Sequence, residues 1–147
     1  MVSLGLLVLR LVVGGLFALH GVPKLFGGQG TSGQLSDSAR QTLGQGFVDQ
    51  MEGGGIQNLT GMLQSLDVPN PPTMAWALAL TEFVGGLALI LGWKTRPIAA
   101  ALAFSQLVAI DKVHAQQGLV GGYEFNATLI GATSALALSG PGKIALD

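Results

Sequence analysis

The chain has 147 residues, enough for one domain, and only 10% of them are charged, against about 25% in an ordinary soluble domain. With 49% hydrophobic residues and a mean hydropathy of +0.55, a chain this short has too few charges to cover a water-facing surface, so it reads as an integral membrane protein. A net charge of −1 without a basic tract argues against a nucleic-acid partner, and the lack of cysteine excludes disulfides, thiolate metal sites and dithiol redox chemistry within the chain.

Residues 3–22 predict a first span. It reads as a retained helix, because a basic leader segment is missing and Arg10 interrupts the apolar run. Val22-Pro23 predicts its end. Residues 23–72 form a long loop divided by "GGQGTSG" and "EGGG". Between these pieces Leu43, Phe47 and Met51 follow helical spacing. Leu59, Met62, Leu63 and Leu66 do so again in "NLTGMLQSLDV", so two short amphipathic interfacial helices are expected. "PNPP" straightens the chain before a second span at 73–92. "GWKTRP" is a tight charged turn, with Pro97 suited to the first turn of a third span at 97–113. The glycine-rich "QQGLVGGYE" leads into a fourth span at 124–139, which "SGPGK" ends. The first two spans have the ~20 residues a crossing helix needs, and the last two are near the short limit.

Lys94 and Arg96 share one turn and Lys143 lies on the same side, which makes that side cytoplasmic by the positive-inside rule. Both termini are then inside, and the loops 23–72 and 114–123 are outside. The predicted fold class is all-α: one membrane domain over 1–147, an integral membrane four-helix bundle with a long, partly helical extracytoplasmic loop between helices 1 and 2.

Charges within the spans point to function. Glu82, near mid-span in "ALTEFVGGLALILG", must face protein, pair with a cation or be protonated. Arg10 is the nearest cation by depth, so an Arg10–Glu82 intramembrane ion pair is expected. Gly14, Gly15, Ala79, Gly85 and Gly86 are small enough for the two helices to approach. Helix-to-helix attachment and proton handling are both open roles for the pair.

A second group gathers at the outer end: His20 and Lys24, then Asp111 and His114 at i, i+3, then Tyr123 and Glu124. Three readings are open. The group is an interfacial polar belt, or a site that hydrogen-bonds a quinone head group and exchanges its protons, or a metal site on Asp111, His114, His20 and Glu124. Haem between His20 and His114 ranks below these, and no covalently bound cofactor is expected. The sequence contains no phosphate-binding glycine loop, zinc-hydrolase motif or nucleophile elbow.

"LRLVVGGLFALHGVPKLFG", "ALTEFVGGLALILGWKTRPIA", "HAQQGLVGGYEFN" and "GPGKIALD", in this order, resemble the DoxX family of small four-helix membrane proteins. The family pattern falls on Arg10, His20, Gly21, Lys24, Glu82, Gly85, Gly86, Tyr123, Glu124, Gly140 and Gly142. The first outer loop is longer than the family usually shows, by roughly two dozen residues, and the added part is a candidate to dock a partner or cover the site. The resemblance implies a bacterial-type inner membrane location and redox association: relatives include subunits of a thiosulfate:quinone oxidoreductase and proteins that assemble with thiol and superoxide enzymes. It speaks for fold and place more than for reaction.

Two functions follow as expectations. One is a non-autonomous subunit of a redox or quinone-linked membrane complex, not catalytic alone, with a partner protein supplying electrons. The other is a structural or assembly factor for another membrane complex, with no chemistry of its own. Expected partners are membrane lipid, other membrane or redox subunits, and quinone.

Overall fold

The computed structural model describes residues 1–147. It is all-α, with seven α-helices: α1 (Val2–Phe26), α2 (Asp37–Leu43), α3 (Gln45–Glu52), α4 (Ile56–Ser65), α5 (Pro71–Leu91), α6 (Thr95–Ala109) and α7 (Glu124–Ser139). Beyond Ala109 the helical path widens into a π turn, Ile110–His114, and tightens into a 3₁₀ turn, Ala115–Gln117. Three helical runs are long and apolar enough to cross a membrane: Val2–Phe26, Pro71–Leu91 and Thr95–Gln117. Residues 124–139, expected as a fourth span, form the helix α7 but are not among these three candidate spans. At 16 residues it is shorter than the ~20 of a perpendicular crossing.

The chain forms two compact units, Met1–Ala18 with Val84–Asp147, and Leu19–Phe83. The core of the first is Val13, Phe17, Leu89, Ala99, Leu102, Leu129 and Leu136, drawn from α1, α5, α6 and α7. Here α1 and α5 meet through glycine. A Cβ on Gly86 would lie 2.5 Å from the Ala18 nitrogen and 2.6 Å from the Gly14 carbonyl oxygen, so the backbones approach as only glycine allows. Gly85 faces Ile98 and Leu102 on α6, while Gly15 has nothing near it. Between α6 and α7 the buried Asn126 amide donates to the Gln106 side-chain oxygen at 2.8 Å.

In the second unit Leu59 and Leu63 of α4 pack on Ala75 and Ala79 of α5. Val48 and Met51 of α3 are also buried. The loop therefore holds three short helices and a 3₁₀ turn, Thr31–Gln34, where the sequence predicts two helices. The periodicity of Leu43, Phe47 and Met51 is broken at Gly44, which caps α2 and opens α3.

Pro23 does not end α1, contrary to expectation; the helix runs on to Phe26. A proline costs a helix one donor and a clash with the preceding turn, a cost limited here to the last turn. The Pro23 carbonyl, moreover, accepts from both Gly27 N–H at 3.0 Å and Gly55 N–H at 2.9 Å. That carbonyl ties the end of α1 to the start of α4.

Candidate functional site

Three polar arrangements carry the chemistry of the chain. The first lies in the unit Leu19–Phe83. Gly21 lets α1 approach α5 closely: a Cβ there would lie 2.7 Å from the Phe83 Cα. Lys24 sits three residues beyond Gly21, on the same helix face, and its ammonium forms an ion pair with Glu82. It also donates to the His20 carbonyl at 3.4 Å. The Glu82 side chain is 7% exposed and that of Lys24 26%. His20 is half-buried and within electrostatic reach of both charges. Phe26 and Phe83 flank the group in an edge-to-face contact, centroids 5.7 Å apart. A carboxylate and an ammonium are thus paired between two candidate spans, with the His20 imidazole one helical turn before the ammonium on α1. This is an acceptor, a donor and a group able to exchange a proton.

Glu82 is therefore paired as expected, but with Lys24 and not with Arg10. The reason lies in helix register. With Gly14 set against Gly86, Arg10 falls level with Leu89 and Ile90. Glu82 lies about 10–12 Å back along α5, at ~1.5 Å per residue. An end of α1 at Val22 leaves Lys24 beyond the helix, in the outer polar group, and so not beside Glu82.

Arg10 centres the second arrangement, in the other unit. It is fully buried and donates to the carbonyls of Leu89 and Ile90, each at 3.3 Å, and to that of Ile144. Carbonyls at the end of a helix lack intrahelical partners, and here each is met. Trp93 N–H bonds to Ala88 and Gly92 N–H to Leu89, the Schellman pattern around Gly92 at φ 72°. Leu146 N–H takes Leu91 at 3.2 Å and Asp147 N–H takes Gly92 at 2.9 Å. A cation at the carbonyl end of α5 also lies where the helix dipole favours it. The Asp147 carboxylate does the converse, accepting from Lys94 N–H at 2.6 Å and Thr95 N–H at 2.9 Å at the start of α6. Those bonds, with Thr95 foremost, hold its pKa below the ordinary 3.8. Segment 140–147 thus closes over Arg10.

The third arrangement contains the remaining outer candidates, which make local contacts. His114 Nδ1 is 3.0 Å from the Gln117 side-chain oxygen. The exposed Asp111 faces Lys112 at 3.8 Å, and Glu124 accepts from Gly121 N–H at 3.3 Å. Tyr123 precedes α7, half-buried. No three or more His, Asp or Glu side chains are grouped to hold a metal ion. The sequence reading missed the Lys24–Glu82 partnership, the Asp147 cap and the Gln106–Asn126 link. The last had a visible signal, one amide in each of two apolar spans.

The chain matches the DoxX family over residues 5–115. It belongs to that family. The matched stretch takes in Arg10, His20, Gly21, Lys24, Glu82, Gly85 and Gly86. It stops before Tyr123, Glu124, Gly140 and Gly142, so the resemblance drawn through the last helix lies beyond it. The chain is also similar to "Putative oxidoreductase CatD" of Bacillus subtilis (strain 168), at 28% identity over 145 residues, covering 99% of this chain and 86% of that protein. No solved structure matches. Family and spans together make this a multi-pass membrane protein with three candidate spans.

Proposed function

We propose that the chain is a four-helix, inner-membrane subunit of a redox complex that binds a quinone head group at His20, Lys24 and Glu82. The buried Lys24–Glu82 pair beside His20 carries the reading. An ion pair inside a membrane span is costly and marks function by default. Its donor set fits a quinone, whose carbonyl oxygens accept from an ammonium and whose reduced hydroxyls donate to a carboxylate. The oxidoreductase name of the Bacillus subtilis relative supports a redox setting. With no cysteine the chain has no thiol couple, and in this reading a partner subunit supplies the electrons. Asp111, His114, Tyr123 and Glu124 remain secondary candidates. The core shared among α1, α5, α6 and α7 supports the bundle, and the cations Lys94, Arg96 and Lys143 support a cytoplasmic placement of their side by the positive-inside rule.

The test is purification from native membranes with mass spectrometry of bound quinone. Glu82→Gln and His20→Asn should lose quinone, and His114→Ala should keep it. Loss only in His114→Ala would move the site to the 110–124 segment.

One observation favours the assembly-factor alternative: the Lys24–Glu82 ion pair joins α1 directly to α5, a role that needs no further chemistry. Copurification of a large membrane partner with no quinone in the wild-type protein would select that reading.

A further inference from the structure

The turn joining α5 to α6 links two candidate spans, so it lies at a membrane surface. It carries Trp93, Lys94 and Arg96. Lys94 and Arg96 line one groove with Pro97, Pro141 and Asp147, and Lys143 lies two residues past Pro141. None of the three cations has a carboxylate partner; the chain's two ion pairs are Lys24–Glu82 and Lys112–Asp111. The one carboxylate in the groove, Asp147, is engaged by the backbone N–H groups of Lys94 and Thr95. Arg96 is held against Gly140, where a Cβ would lie 3.2 Å from its Nε. Lys94 stands over the Trp93 ring, 5.4 Å from its centre. Trp93, Leu91, Ile144 and Leu146 are all about half exposed or more.

We infer that this groove is a binding site for the head group of an anionic phospholipid. Lys94 and Arg96 hold the phosphate, and the apolar rim of Leu91, Trp93, Ile144 and Leu146 lies along the acyl chains. A half-exposed tryptophan beside uncompensated cations suits the interface between head group and hydrocarbon. The apolar rim commits the site to a lipid phosphate over a free one. The site shares no residue with the group on His20, Lys24 and Glu82, so failure of either proposal leaves the other standing.

Phosphatidylglycerol or phosphatidylcholine is added to the delipidated full chain in neutral detergent. Retained lipid is counted by native mass spectrometry and the melting temperature recorded. Wild type should retain phosphatidylglycerol preferentially, by about five-fold per contacting cation, with a matching rise in melting temperature. Lys94→Ala combined with Arg96→Ala should abolish the preference. Lys112→Ala, which removes the same type of charge elsewhere, should leave it intact. Equal retention of the two lipids by wild type overturns the proposal, as does equal weakening by Lys112→Ala. Competition by millimolar inorganic phosphate that removes the lipid preference would mark a free-anion site and also overturn it. Should the double variant not fold, Arg96→Gln alone must still cut the preference.

Discussion

Burying Glu82 takes a carboxylate out of water, a cost recovered only by a close counter-charge with good geometry. Lys24 supplies that charge, and its partial exposure leaves it a route to the interface. The two single variants should therefore differ. Lys24→Met strands a buried carboxylate without its counter-charge. Glu82→Gln strands an ammonium that can turn outward. Removing one partner of a buried pair costs about 3–5 kcal/mol; Glu82→Gln belongs at the low end, because the stranded ammonium can turn outward, and Lys24→Met above it. The double variant, Lys24→Met with Glu82→Gln, should recover much of the loss in melting temperature. Arg10→Met and Glu82→Gln should instead add, because Arg10 bonds to backbone carbonyls of another stretch of α5. Additivity in the Lys24 cycle and coupling in the Arg10 cycle would restore the Arg10–Glu82 pair. The burial of both charges was legible in the sequence, since neither could face lipid. Their partners were not, because partner choice depends on a register that hydropathy does not encode. Gly14 and Gly86 stood among the small residues that let the helices approach, but which glycine faces which backbone, and the part of Gly21, depend on contacts the sequence does not carry.

Helices α1 and α5 interlock through particular glycines, which separates structural from incidental small residues. Gly86→Ala would drive a methyl group into the backbone of Ala18 and Gly14. Overpacking of this kind costs about 1–3 kcal/mol, and the melting temperature should fall. Gly15→Ala meets nothing within 4 Å and should be neutral or slightly stabilising. Equal effects at the two sites would refute the crossing.

The start of α6 supplies a pH-dependent prediction. The Asp147 pKa is lowered in the folded state by the Thr95 and Lys94 N–H groups. Its stabilisation is thus complete above the unfolded value and lost as pH falls through the folded one. The wild-type melting temperature should drop in the acid range below 3.8. Asp147→Asn should melt lower at neutral pH and lose that part of the acid dependence; an unchanged acid profile would remove Asp147 from the capping role. Element positions were largely legible, because apolar runs and glycine breaks mark them. The run of α1 through Pro23 was not, because one of the two bonds to the Pro23 carbonyl comes from Gly55, far along the chain.

Topology belongs to the whole molecule, and the fourth helix decides it. At 16 residues α7 is about 24 Å long, at ~1.5 Å per residue, against a hydrocarbon core of ~30 Å. Length alone argues against a crossing. The contacts of the segment that follows argue for one. Within the unit Met1–Ala18 and Val84–Asp147, α6 leaves from Thr95 and runs to the turns before Glu124. After α7, Lys143 N–H donates to Ser3 Oγ at 3.3 Å, and Asp147 returns to Lys94 and Thr95. Where α6 crosses the membrane, a chain that comes back to the α5–α6 turn is expected to recross along α7. Single-cysteine labelling in intact cells reads this directly, since the natural chain has no cysteine. Asp37→Cys and Val120→Cys should label from outside, and Lys94→Cys and Lys143→Cys only after permeabilisation. If Val120 and Lys143 label from the same side, α7 does not cross and the four-helix bundle is lost. If all four labels invert together, the bundle stands and the positive-inside assignment of its direction is wrong.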